Sequence, residues 1–175
     1  PAREFAAALS DRFDTVAITV DGVTLRVHTL PASNAVTPPS EALKMASAII
    51  STYTGLYGPY RFKELDVVHA AVPIGGYEFP GMVYVEEAKR TTASQAEYEY
   101  LLAHELAHQW WYAQVGSHTV NAPWLDEGMA SYSIALYRDR SSLSTSSGEA
   151  LLQSWRRSYG TRGPYDPPVN SPAQI

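Results

Sequence analysis

The sequence predicts an α+β domain in which a small sheet comes first and helices follow. Three observations support this prediction: β-rich segments are confined to the first half, helical patterns dominate the second half, and 175 residues suffice for one apolar core. Residues 1–92 are the expected β-rich part with one long helix, and residues 93–175 are the helical part. We expect the chain to be one partial domain excised from a larger protein, because it starts with Pro1 and ends in a proline-rich stretch.

The first half predicts a helix, a hairpin and a second helix. Residues 1–12 predict a short helix, and residues 15–30 predict two strands around Asp21-Gly22, a dipeptide typical of two-residue hairpins. After a loop over 31–40, Ser40 is placed to cap a helix that Gly55 and Gly58-Pro59 end. Apolar side chains recur at helical spacing along it and predict its buried face: Ala42, Met45, Ala46, Ile49, Ile50 and Tyr53.

The remaining elements lead into the helical part. Ser94-x-x-Glu97 is a capping box, and it predicts the start of a helix that runs to about Gln114. The other expected elements are a buried strand over 65–72, a glycine-rich turn over 73–80, a strand near a sheet edge over 81–87, helices over 123–138 and 149–159, a polar linker over 140–148 and an irregular tail from residue 160.

Composition excludes several classes of function. The net charge is −5 and the chain has no cluster of Lys and Arg, which argues against nucleic acid as a partner. Its apolar runs are too short to span a bilayer. The chain contains no cysteine, so any bound metal must be held by histidine and carboxylate side chains. The sequence leaves open whether the parent protein is extracytoplasmic or membrane-associated.

His104-Glu105-Leu106-Ala107-His108 matches the H-E-x-x-H pattern inside a predicted helix. Residues i and i+4 lie on the same helix face, so two imidazoles at this spacing can converge on one ion. A catalytic zinc takes three protein ligands and keeps a further position open. Glu105, next to the first histidine, is placed to act as the general base on zinc-activated water.

The third zinc ligand is expected to be Glu127, which follows His108 with 18 residues between them. It lies in Trp124-Leu125-Asp126-Glu127-Gly128 on the next predicted helix, and the connecting loop is long enough for that helix to fold back. The sequence therefore predicts one Zn²⁺ bound by His104, His108 and Glu127. The other histidines are expected to have structural roles, because a single histidine is weak evidence for a site: His28, His69 and His118.

With these motifs, the sequence resembles the M1 family of zinc aminopeptidases. HELAH at 104–108, WLDEGMA at 124–130 and the spacing between them follow the family pattern. The resemblance implies a thermolysin-like gluzincin fold, with a small mixed sheet followed by the two helices that carry the zinc ligands. It also implies hydrolysis of N-terminal peptide bonds in substrates with a free N-terminus, and further domains in the parent chain.

A third string, Gly75-Gly76-Tyr77-Glu78-Phe79, resembles the family's G-x-M-E-N exopeptidase motif. By this resemblance, Glu78 binds the free α-amino group of the substrate, and the backbone at Gly75 and Gly76 lies along it. Tyr77 stands where the family usually has Met, and Phe79 where it has Asn. The resemblance also implies a transition-state tyrosine beyond residue 175.

Alternative functions remain open at this point. The altered motif at 77–79 is compatible with an endopeptidase or with non-peptide substrates. A zinc-stabilised interaction domain without turnover is a second alternative, although the presence of Glu105 argues against it. A third is a peptidase-like domain fused to a membrane protein, in which binding matters more than cleavage.

Overall fold

The protein folds as an α+β domain, as its sequence predicts. The structure, a computed structural model, describes residues 4–32, 35–72, 75–119, 121–144 and 147–160. Its strands are β1 (Asp14–Val20), β2 (Val23–Thr29), β3 (Glu64–Ala70), β4 (Gly76–Phe79) and β5 (Met82–Glu86). Its helices are α1 (Pro39–Tyr57), α2 (Glu87–Thr91), α3 (Gln95–Ala107), α4 (Pro123–Arg140) and α5 (Gly148–Gly160).

The five strands form one mixed sheet in the order β1-β2-β3-β5-β4. The β1–β2 and β4–β5 pairs are antiparallel, and β3 lies parallel to both β2 and β5. The predicted hairpin is confirmed: Asp21 and Gly22 form its turn with φ of 50° and 78°. Positive φ at both central residues of the turn matches the right-handed twist of the flanking strands. Turns of this kind prefer Asp-Gly because these residues adopt positive φ.

The core lies between one face of the sheet and the helices α1 and α3. The predicted apolar face of α1 is confirmed in full, because its six residues are the ones buried in the structure. Alternate residues of β2 are buried with them, including Leu25 and Val27. Tyr53 at the end of this face donates a hydrogen bond to the carbonyl of Ala103 on α3, at 3.0 Å. This hydrogen bond fixes α3 relative to α1, which packs on the same face of the sheet.

Three predictions near the chain start and the glycine-rich segment are wrong. Residues 4–10 form no helix, and Phe5 and Leu9 are 90% and 95% exposed, so a helix there would have no apolar surface to bury against. The helix α1 starts at Pro39 without a side-chain cap, so Ser40 lies inside its first turn. The segment expected to be only a turn contains the edge strand β4.

The second half matches its prediction except at one helix end and at one short helix. The capping box at the start of α3 is confirmed, but the helix ends at Ala107 and not near residue 114. Helices α4 and α5 lie where the sequence places them, and the short helix α2 was not predicted. No helix among the described residues combines the length and apolar character needed to cross a bilayer. The predicted proline-rich tail falls almost entirely outside the described residues.

Candidate metal centre

The helix α3 brings the two motif histidines to one face at its C-terminal end. Ser94 caps the helix: its Oγ accepts from the backbone N–H of Glu97, and the Glu97 carboxylate accepts from the N–H of Ser94 at 2.9 Å. The opposite face of α3 is buried against the core through Leu102 and Leu106. Since the helix is fixed at its start and along its apolar face, the direction of its last turn is fixed as well.

The imidazoles of His104 and His108 face each other across one helical turn. Their Nε2 atoms lie 3.3 Å apart, and the rings are nearly perpendicular at 87°. The Nδ1 of His108 lies 3.0 Å from the backbone carbonyl of Trp111, an acceptor, so it carries the proton of the neutral ring. This bond leaves Nε2 of His108 free of a proton, as metal coordination requires.

Trp111 also connects this turn to the next helix. Its indole Nε1 donates to Ser133 Oγ on α4 at 3.1 Å. Ser133 in turn donates to the carbonyl of Met129 at 2.7 Å, one turn closer to the start of α4. The carbonyl that orients His108 is therefore held against α4, the helix that carries Glu127. The sequence does not predict this role of Trp111, because the only local sign of it is that Trp111 lies close to the H-E-x-x-H motif in the chain.

Glu127 meets the two histidines from the first turns of α4. The helix begins with Pro123 at its first position, where the missing N–H costs nothing. Asp126 is buried and accepts from Ser117 Oγ at 2.8 Å and from the N–H of Glu127 at 3.1 Å, which fixes this turn. The Oε2 atom of Glu127 lies 3.0 Å from Nε2 of His104 and 3.9 Å from Nε2 of His108.

We call His104, His108 and Glu127 the metal triad. One ligand atom from each lies within 4.8 Å of the others, and this is the one such group of three His, Asp or Glu residues in the described part of the chain. The hydrogen bond from His104 holds the pKa of Glu127 below its usual value, with the charges of both histidines acting in the same direction against burial. Two imidazoles and one ionised carboxylate form a donor set that fits a catalytic zinc.

Glu105 is buried beside the metal triad, with 5% of its surface exposed. It lies against Gly76, where a Cβ atom would overlap the Glu105 carboxylate. Burial, together with the negative charges of Glu78 and Glu127, raises the pKa of Glu105 to about 9 in the metal-free protein. The charge of a bound cation acts in the opposite direction. The carboxylate thus faces the space where the triad and β4 come together.

Comparison with known proteins identifies the family. The sequence model of the peptidase family M1 domain matches residues 41–160. The chain belongs to peptidase family M1. Two crystal structures of mutant M1 zinc metallopeptidase from Deinococcus radiodurans share the M1 fold with this chain. One matches with 23% identity and a TM-score of 0.65; the other, bound to a Tyr-Ser-Ala substrate, matches with 21% identity and a TM-score of 0.67. Each match covers 91% of this chain, whereas the chain spans only 35% of each matched protein.

The segment that resembles the M1 exopeptidase motif forms the edge strand β4. Gly76 and Glu78 pair with Val85 and Val83, two buried residues of β5, so they face the helix side of the sheet. This side is where Glu105 lies. Tyr77 points to the other face and stacks against Phe79 with ring centroids 6.0 Å apart. The two residues that depart from the M1 motif therefore lie on the face away from the metal triad.

The other histidines of the described residues do not belong to the triad. His69 is buried between Tyr98 and the backbone carbonyl of His28, while the ring of His28 bonds Thr15 and Asp66 on the outer face of the sheet. His118 contacts Asn121 in the loop before α4. Tyr159 is 68% exposed on α5, and Tyr165 lies outside the described residues.

Proposed function

We propose that this M1 chain carries the metal-binding and base residues of a zinc aminopeptidase. The observation that supports the proposal is the convergence of His104, His108 and Glu127 beside a buried carboxylate, Glu105. The geometry fits zinc because three donors of the preferred kinds meet and the carbonyl of Trp111 orients His108. Zinc bound there would supply a Lewis acid that polarises the scissile carbonyl and lowers the pKa of water.

Glu105 is the proposed general base. It follows His104 directly in the chain, and its carboxylate lies against Gly76 on the edge strand. In this role it accepts a proton from the attacking water and passes it to the leaving amine.

Glu78 is the proposed anchor for the free N-terminus of the substrate. It shares the helix-side face of β4 with Gly76, and its charge is close enough to affect Glu105. A carboxylate at this position can bind an α-ammonium group and fix its distance from the base. Binding the amine at a set distance would restrict cleavage to the first peptide bond through positioning alone. The backbone at Gly75 and Gly76 is proposed to lie along the bound peptide.

One experiment tests this function and separates it from its alternatives. The full-length parent protein should hydrolyse peptides with a free N-terminus at least about a hundredfold faster than their N-acetylated forms, and a chelator should stop the reaction. Comparable rates on both substrates would contradict the amine anchor and indicate an endopeptidase. Stoichiometric zinc without hydrolysis of either peptide would contradict the enzyme and indicate a binding domain.

A further inference from the structure

Gln109, the residue after the second motif histidine, is completely buried and takes no part in the metal triad. Its backbone N–H donates to the carbonyl of Leu106 at 3.2 Å, which continues the turn at the end of α3. Its own carbonyl accepts from the side chain of Gln114 at 3.0 Å. Because the main chain of Gln109 is held on both sides, its side chain projects from a fixed point next to His108.

The side-chain amide of Gln109 binds both sides of the turn between β4 and β5. Its Nε2 donates to the carbonyl of Phe79 at 2.9 Å, and its Oε1 accepts from the N–H of Gly81 at 2.9 Å. Tyr60 donates a further hydrogen bond to Oε1 at 3.0 Å. The orientation of the amide is unambiguous, because a carbonyl can only accept and a backbone N–H can only donate.

The strand β4 depends on such contacts because it is short and is the edge strand of the sheet that the described residues form, next to β5. At its start, the carbonyl of Gly75 accepts from the N–H of Glu86 at 2.7 Å. At its end, the bonds from Gln109 hold Phe79, the residue next to Glu78. The C-terminal end of the strand that carries Glu78 is thus bound to Gln109, which directly follows His108 of the metal triad.

We propose that Gln109 is a positioning residue that sets the distance between Glu78 and the metal triad. This inference rests on the proposed function, in which Glu78 binds the substrate amine. Without the amide, β4 and its turn lose the contact that fixes them to the end of α3, and Glu78 moves relative to the site. A displacement of about 1 Å is enough to lower a rate on the order of a hundredfold.

The test measures amine recognition by binding, independently of turnover. The probes are leucine hydroxamate and 4-methylpentanehydroxamic acid, which differ only in the α-amino group and both bind zinc through the hydroxamate. Calorimetry on the zinc-loaded full-length protein should show that wild type prefers the free-amine probe by about 10- to 100-fold. Glu78→Ala should remove that preference.

Gln109→Met should reduce the preference to within a few-fold of that in Glu78→Ala, while zinc content and affinity for the amine-free probe stay near wild type. Gln109→Asn carries an amide whose side chain is one methylene too short to make both bonds, so it should reduce the preference in the same way. This variant replaces Gln109→Met in the test if Gln109→Met does not fold. Tyr60→Phe is the matched control: it removes one bond to Gln109, leaves both bonds to the turn, and should keep the wild-type preference.

A double-variant cycle adds a second criterion. If Gln109 acts through Glu78, adding Gln109→Met to Glu78→Ala should not change the preference further. The positioning role would be overturned if Gln109→Met and Gln109→Asn kept the wild-type preference for the free-amine probe, or if they lost affinity for both probes equally. Either result would leave the amine anchor at Glu78 standing. Equal affinity of wild type for both probes would overturn the amine anchor of the proposed function, and the positioning role with it.

Discussion

Glu105 is the residue on which turnover is expected to depend most. Glu105→Gln keeps the shape and the metal triad but cannot accept a proton, so kcat of the parent enzyme should fall by about 10²- to 10⁴-fold with one zinc per chain retained. The metal-free variant should be at least as stable as metal-free wild type at pH 7, because burial already disfavours the charged carboxylate.

The measurement compares steady-state hydrolysis and zinc content of this variant with those of Glu41→Gln. Glu41 lies on the first turn of α1, where its described ion pair is a loose one with Lys44 at 3.8 Å, so its variant should retain wild-type activity. Activity of Glu105→Gln within a few-fold of wild type would rule out Glu105 as the base.

Single residues also show how far the sequence could predict the site. His104 and His108 could be predicted because their convergence depends only on helical spacing, and Glu127 because its motif follows at a characteristic distance. Gln109 could not, because its partners Phe79 and Gly81 are 30 and 28 residues away and its role arises only from burial. The part played by Trp111 is carried by its backbone carbonyl, which every residue type possesses.

His69 should make folding sensitive to acid. Burial lowers its pKa to about 3, and the charge of Arg90 acts in the same direction, so the folded protein keeps this ring neutral. In the unfolded chain the ring protonates near pH 6.5, so the unfolded state binds more protons between about pH 6.5 and 3. The contribution of the neutral ring to the free energy of unfolding is therefore fully present above pH 6.5. It is lost by about 1.4 kcal/mol per pH unit as the pH falls from 6.5 toward 3.

Chemical denaturation of the chelated protein from pH 7 to 4 measures this effect without interference from zinc release. His69→Gln should show a shallower loss of unfolding free energy with falling pH than wild type. His118→Gln, in the loop before α4, is the control and should keep the wild-type slope. Parallel slopes for wild type and His69→Gln would show that His69 is protonated in the folded state.

At the scale of elements, the capping box of α3 supports the metal triad from a distance. Ser94→Ala removes the two hydrogen bonds of the Ser94 hydroxyl, one from the Glu97 amide and one to the Glu97 carboxylate. It should lower the free energy of unfolding by about 1 kcal/mol, without changing zinc content. Ser142→Ala, in the loop between α4 and α5, should change it by less than about 0.5 kcal/mol. Equal effects of the two substitutions in urea unfolding would contradict the role of the cap.

Most elements could be predicted, and those that could not depend on distant partners. Helical periodicity continues through Trp110, so nothing local marks the end of α3 at Ala107, where the buried amide of Gln109 turns to the sheet. The strand β4 contains glycine and is followed by proline, both typical of turns, and it forms a strand only through pairing with β5. Residues 1–12 have helical composition, but Phe5 and Leu9 find no apolar surface.

At the scale of the whole molecule, the metal triad is open to solvent on one side. The Glu127 side chain is 53% exposed, and Trp124, Leu125 and Tyr132 on the same helix are 48%, 37% and 43% exposed. The chain spans 35% of the length of the M1 structures that it matches. We propose that other parts of the parent protein cover this side and complete the cleft, including an oxyanion donor for the transition state.

The isolated 175 residues should therefore bind zinc but hydrolyse aminoacyl substrates far more slowly than the full-length parent. Losing one oxyanion donor typically costs about 10²- to 10³-fold in rate, and loss of the cleft walls adds to it. A side-by-side measurement of kcat/KM and zinc content tests this expectation. Equal kcat/KM would show that these residues already contain the complete catalytic machinery, and Tyr159 and Tyr165 would then be the residues to substitute.

The most direct test of the central claim is metal analysis of the chelated protein after reloading with zinc, combined with thermal unfolding. Wild type and Glu105→Gln should each retain close to one zinc per chain. His104 and His108 at the end of α3 and Glu127 on α4 would hold zinc together only in the folded state. Zinc should therefore stabilise wild type and Glu105→Gln by about 2.7 kcal/mol each at a free concentration 100 times Kd. His104→Ala, His108→Ala and Glu127→Ala should lose the tight site and most of this stabilisation. Wild type that retains no stoichiometric zinc, or triad variants that retain it fully, would contradict the assignment.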